Sequence, residues 1–158
     1  MADRTFEILR RAVGAAVCAV LVAGCSSSTD SGGPRPVDGL VVRDPFGPVV
    51  TVQGSDVLGE LEVLLDFQTP LLTVTFANDL GEAVQTSGGD QMTVTIADES
   101  LATWSQAGPF TGMLNGLSPG ETTARFSLIQ GGQTVYTSPA IGLTVLGQLR
   151  TPEPPSQH

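Results

Sequence analysis

A period of two in hydrophobicity constrains this chain more than any other feature. Leu72, Val74 and Phe76 alternate with Thr73 and Thr75, and Met92, Val94 and Ile96 alternate with Thr93 and Thr95. Ala124, Phe126 and Leu128 alternate with Thr123, Arg125 and Ser127, and Ile141, Leu143 and Val145 form a closing stripe. Successive strand side chains point to opposite faces, so each stripe predicts a strand with one buried face. Shorter apolar runs at Leu40–Val42, Val49–Val52, Leu61–Phe67, Leu101–Trp104, Thr111–Leu117 and Val135–Tyr136 complete the set. Turn signals separate them: Asp44-Pro45-Phe46-Gly47-Pro48, Gln68-Thr69-Pro70, Asn78-Asp79-Leu80-Gly81, Ser87-Gly88-Gly89-Asp90, Ser118-Pro119-Gly120 and Gly131-Gly132. A loop is expected from Ser105 through Phe110. No stretch after residue 25 holds a helical period. The fold class that follows is all-β, an antiparallel sandwich over residues 38–147, long enough to bury a core without disulfides.

The amino-terminal part reads differently. Arg4, Arg10 and Arg11 precede an uncharged run from Ala12 to Ala23, which is too short for a spanning helix and suits a signal segment. The run ends in Leu21-Val22-Ala23-Gly24-Cys25, followed by Ser26-Ser27-Ser28-Thr29. That stretch resembles a bacterial lipobox. The resemblance implies cleavage after residue 24, lipid on Cys25 and attachment to a membrane through that lipid. The implied location is the cell envelope, with the outer membrane favoured in a Gram-negative host because Ser26 follows the cysteine. Residues 25–37 are rich in Ser, Gly and Pro and read as a flexible tether of at most about 40 Å. The closing segment, residues 148–158, is proline-rich and reads as a disordered tail.

Charge and residue inventory narrow the chemistry. All seven basic residues are arginine. Loss of residues 1–24 leaves four arginines against fourteen carboxylates, a net charge of −10. Such a surface repels phosphate, so nucleic acid is not an expected partner. Cys18 leaves with the signal and Cys25 takes the lipid, so the domain keeps no thiol for a disulfide, metal or nucleophile. The single histidine is His158, in the tail. No His-based general base, catalytic triad or zinc site can be assembled from what remains; no metal or cofactor is expected, and the chain is read as a non-enzyme.

Three stretches resemble bacterial Ig-like domains of the second group, found in invasin- and intimin-type surface proteins. Asp98-Glu99-Ser100-Leu101-Ala102-Thr103-Trp104 is similar to that family's D-x-S-hydrophobic-A segment. Thr111-Gly112-Met113-Leu114-Asn115-Gly116-Leu117-Ser118-Pro119-Gly120-Glu121-Thr122-Thr123 is similar to its glycine-cornered turn, and Ile141–Val145 to its closing strand. The likeness covers residues 56–146. Ser105–Phe110 stands outside its pattern, and Leu40–Leu65 is longer than the family requires. It implies an Ig-like sandwich acting as spacer or adhesive surface, with another envelope protein or a polysaccharide as partner.

The candidate sites are few. Glu60 and Glu62 lie two apart and share one face of a strand, the wet one, while Asp98 and Glu99 belong to a turn. Asn78–Glu82 lacks the alternating ligand spacing of a calcium loop. Phe76 and Phe126 fall on apolar stripes and are expected in the core, as is Trp104, the only tryptophan. Phe46 and Phe110 sit in Pro/Gly loops and are the expected exposed contact residues. Binding of carbohydrate or another polymer through such loop aromatics is the alternative function.

Overall fold

Every alternating stripe forms a strand in the computed structural model, which describes residues 36–147. The signal segment, Cys25, most of the tether and the tail lie outside the described residues. Eleven strands make two sheets: β1 Val37–Asp44, β2 Gly47–Gln53, β3 Asp56–Gly59, β4 Leu61–Leu64, β5 Leu72–Asn78, β6 Gln91–Ile96, β7 Ala102–Gly108, β8 Thr111–Gly116, β9 Gly120–Gln130, β10 Gln133–Thr137 and β11 Ile141–Leu146. The first sheet has the order β3-β2-β1-β5-β8-β7. In the second, β9 is the hub. One of its edges pairs with β6 over Ala124–Ile129, and the other takes β10 over Ser127–Gln130 and then β11 over Gly120–Ala124.

The inward residues of both sheets meet in one core. Leu40, Val42, Val50, Val52, Leu72, Val74, Phe76 and Leu114 come from the first sheet, and Leu61, Val63, Ala124, Phe126, Leu128, Ile141, Leu143 and Val145 from the second. Burial of one such side chain is worth about 1.5–3 kcal/mol, so this double layer is the main source of stability. The hairpin at Gly131-Gly132 forms as the sequence indicates, with φ of 58° and 79° at its two central residues, values that only glycine adopts without strain.

Four features differ from the sequence expectation. β3 was not expected. Its residues bury little and carry no stripe, and it forms because Val50–Gln53 offers an open edge. β4 ends at Leu64 rather than running on to Phe67, since Asp66 turns left-handed at φ 63°. β7 continues to Gly108, so Ser105–Gly108 is strand, not loop. Finally, the sandwich is antiparallel throughout its strand pairs except one: β4 runs parallel to β11, with Leu61 opposite Leu143 and Leu64 opposite Leu146. The reason is that β4 crosses over from β3, at the edge of the first sheet, and arrives beside β11 already pointing its way.

The last inward stripe carries a defect that the fold repairs. β10 and β11 lie end to end along β9, interrupted by Ser138-Pro139-Ala140. Proline has no N–H to give a ladder. At the break the buried Ser138 donates its N–H to the Phe126 carbonyl at 2.9 Å. Its Oγ accepts the Phe126 N–H at 3.0 Å and donates to the Pro139 carbonyl at 2.8 Å. A side-chain hydroxyl thus takes the place of a missing ladder group.

Candidate functional surface

Strand directions place the two ends of the domain at opposite poles. β1 is antiparallel to β5, β5 is antiparallel to β8, β8 meets the β4 run in a parallel bridge at Leu65–Gly116, and β4 is parallel to β11. The first and last strands therefore run the same way. The chain enters at one pole, beside the Asn78 turn paired with Val37, and leaves at the other, at Gly147.

The entry pole is a closed polar knot. Asn78 is buried, and its Oδ1 accepts the N–H groups of Leu80 and Glu82 at 2.9 and 3.0 Å while its Nδ2 donates to Glu82 Oε2 at 3.0 Å. Gln53 donates its side-chain N–H to Asp38 and to the Asn78 carbonyl. The Asn78–Glu82 segment is thus a turn folded on its own side chains. Tyr136 lies nearby, edge-on to Phe76 with ring centres 5.9 Å apart. Burial, and then the Asp38 charge, push its phenol above the ordinary value of 10.

The other carboxylates that stand out have structural roles. Asp98 Oδ1 accepts the hydroxyl and the N–H of Ser100, and these bonds hold the carboxyl below its usual range. This is the physical content of the D-x-S segment: the turn that starts β7. Asp90 is held low by the Ser87 N–H and then by the Gln130 amide, which tie the loop before β6 to the end of β9. Glu60 and Glu62 lie exposed at the edge of the second sheet and border a cleft of 190 Å³ with Asp44, Leu61, Leu72 and Leu114. That is smaller than the roughly 300–1,000 Å³ of small-molecule sites. Among the described residues there is no histidine, cysteine or lysine, and Thr69 lines the cleft beside these carboxylates.

The aromatic residues divide. Phe46 is 91% exposed at the β1–β2 tip, where Asp44 Oδ1 accepts the N–H groups of Phe46 and Gly47 and fixes the turn. Phe110 is half-buried instead, edge-on to Phe76 at 6.2 Å and packed against the core, so it does not stand free as its loop position suggested. Trp104 packs edge-on against Phe126 at 5.8 Å and gives its N–H to Gln106 Oε1 at 2.6 Å. Gln106 in turn donates to the Gly108 and Pro109 carbonyls.

The exit pole carries a surface that sequence reasoning missed. On the outer face of the second sheet, Glu62, Thr144 and Glu121 form one cross-strand row. One step further along the same face, Leu64 lies opposite Leu146, and these two are 49% and 40% exposed. Phe67 (56%) and Leu117 (47%) are exposed at the same pole, where the Phe67 N–H donates to the Leu64 carbonyl and the Gly116 N–H donates to the Phe67 carbonyl. A Cβ at Gly116 would overlap the Leu64 carbonyl, so glycine is what lets β8 come this close to β4.

No protein-family model and no curated protein matches the chain. Among solved structures, the chain is similar to the crystal structure of the S-layer protein SbsC domains 4 and 5 at 16% identity, covering 69% of this chain and 77% of that one with a TM-score of 0.40. That likeness is too distant to carry anything from that protein to this one.

Proposed function

We propose that the chain is a lipid-anchored protein of the bacterial cell envelope, held through Cys25, whose sandwich is a non-catalytic structural and interaction domain of Ig-like type. The observation that carries the reading from the structure is the placement of the two ends. A domain whose first strand starts at one pole and whose last strand ends at the other suits a module that holds its far pole away from an anchor. The Leu21–Cys25 motif supplies the anchor in this reading, and the acidic surface keeps the domain soluble and off anionic head groups. Several acyl chains on one cysteine hold durably where a single chain does not.

Cell fractionation tests it. In a bacterium with lipoprotein-processing enzymes, the protein is expected in the membrane fraction, resistant to high salt and released by detergent. An equal distribution of wild type and Cys25→Ser between soluble and membrane fractions would refute the anchor.

A further inference from the structure

We propose that the exit-pole surface built from Leu64, Leu146, Phe67 and Leu117 beside Glu62 and Glu121 is a docking site for a basic amphipathic segment of another protein. Its orientation away from the membrane rests on the proposed anchoring; the surface itself does not.

Three observations carry the inference. First, the apolar residues are out of pattern. Along β4 the inward positions are Leu61 and Val63, and the outward ones are Glu62 and Leu64; along β11 the outward ones include Thr144 and then Leu146. A face that is polar at one row turns apolar at the next, where the core needs nothing. Second, the four residues lie close along the backbone: Leu64 and Leu146 are a cross-strand pair, and the Phe67 backbone bonds both Leu64 and Gly116, the residue before Leu117. Scattered surface leucines are ordinary, whereas a contiguous patch with a polar border marks an interaction site. Third, the charged residues in the adjoining rows of this face are all acidic. Glu62 and Glu121 flank Thr144. Glu60 lies over Gly142 in the preceding row, its Cβ 3.7 Å from where a Gly142 Cβ would stand.

Charge selects the occupant. The described domain holds twelve carboxylates against two arginines, Arg43 and Arg125, so a second copy of this chain and an anionic lipid surface both meet repulsion here. A partner with Lys or Arg next to apolar side chains meets attraction on one row and burial on the next. The rows are two residues apart along the strand, about 6–7 Å. An extended segment with cationic and apolar residues alternating on one face has that spacing. The site thus reads a short pattern, cation-x-apolar, rather than a shape.

The test is an anisotropy titration of the purified full chain with a labelled peptide that repeats Lys-Thr-Leu-Thr. Two controls accompany it, one with Glu for Lys and one with Ser for Leu. Binding is expected for the first peptide and neither control. Glu62→Lys with Glu121→Lys is expected to weaken binding about tenfold, and Leu64→Ser with Leu146→Ser by a similar factor, the latter loss persisting at about 500 mM salt. All four positions are exposed, so the variants should keep the wild-type unfolding midpoint. No binding of the first peptide, or equal binding to wild type and both double variants, overturns the proposal. So does binding that ignores the leucines and vanishes with salt, because it is then unspecific charge attraction. A dimer in sedimentation that dissolves in the leucine variant would also overturn it, assigning the patch to self-association. Lipid on Cys25 has no part in the titration, so the anchor and the docking surface fail separately.

Discussion

Ser138→Ala tests whether a single hydroxyl holds the broken edge of β9 together. In the native fold the Ser138 Oγ is the acceptor for the Phe126 N–H, at 3.0 Å, in the fully buried middle of the second sheet. Alanine preserves the shape and the Ser138 N–H bond to the Phe126 carbonyl; it removes that acceptor together with the hydroxyl's own bond to the Pro139 carbonyl. A buried donor left unpaired costs about 1–3 kcal/mol, so we expect a loss of about 2 kcal/mol. For a domain of this size that corresponds to a fall in Tm of about 8 °C. The urea midpoint should drop by about 1 M if the slope is near 2 kcal/mol per M. Hydrogen exchange supplies the site-specific readout: the Phe126 amide should lose protection out of proportion to its neighbours Ala124 and Leu128. A loss under about 0.5 kcal/mol, with Phe126 as protected as before, would refute the assignment, because the N–H would then have found another partner.

Two further outcomes follow from packing and charge. Gly112→Ala would drive a Cβ into the Trp104 ring, so we expect destabilisation by about 1–3 kcal/mol and a red shift of the emission of the only tryptophan as the ring is pushed outward; an unshifted spectrum at wild-type stability would contradict the placement. Tyr136 is the only tyrosine, so its phenolate absorbance reports one group. Its folded pKa is raised above 10, so the protonated form is favoured in the fold. The stability linked to it is whole below pH 10 and is lost as pH rises through the folded value. Titration at or below 10 in the folded protein would contradict its burial.

The parts of the fold that were legible in the sequence are those where burial is one-sided. Leu72–Phe76, Ala124–Leu128 and Ile141–Val145 alternate because one face of each strand meets the core and the other meets water. Where burial is slight, the signal vanishes, and Asp56–Gly59 carries no stripe although it is hydrogen-bonded along β2. The parallel β4–β11 pair left no trace either, since pairing direction depends on how the chain crosses between sheets and not on any local pattern. Phe110 shows the same limit for the candidate contacts. The preceding Gly108 and Pro109 announce a turn, but only the approach of β5 brings Phe76 against its ring. Phe46 has no such neighbour and stays in solvent. The exit-pole surface was hidden for the opposite reason. Leu64 and Leu146 sit in apolar runs 82 positions apart, and only the sheet register shows that they face outward together.

The anchor is the central claim, and the intact mass of the protein extracted from membranes tests it most directly. Expressed in a lipoprotein-processing bacterium, the chain should have lost residues 1–24 and carry diacylglycerol plus acyl chains on Cys25, and the Cys25→Ser form should show neither change. An unmodified mass, or a mature chain starting at any residue other than Cys25, would contradict the account and leave the sandwich without its proposed attachment.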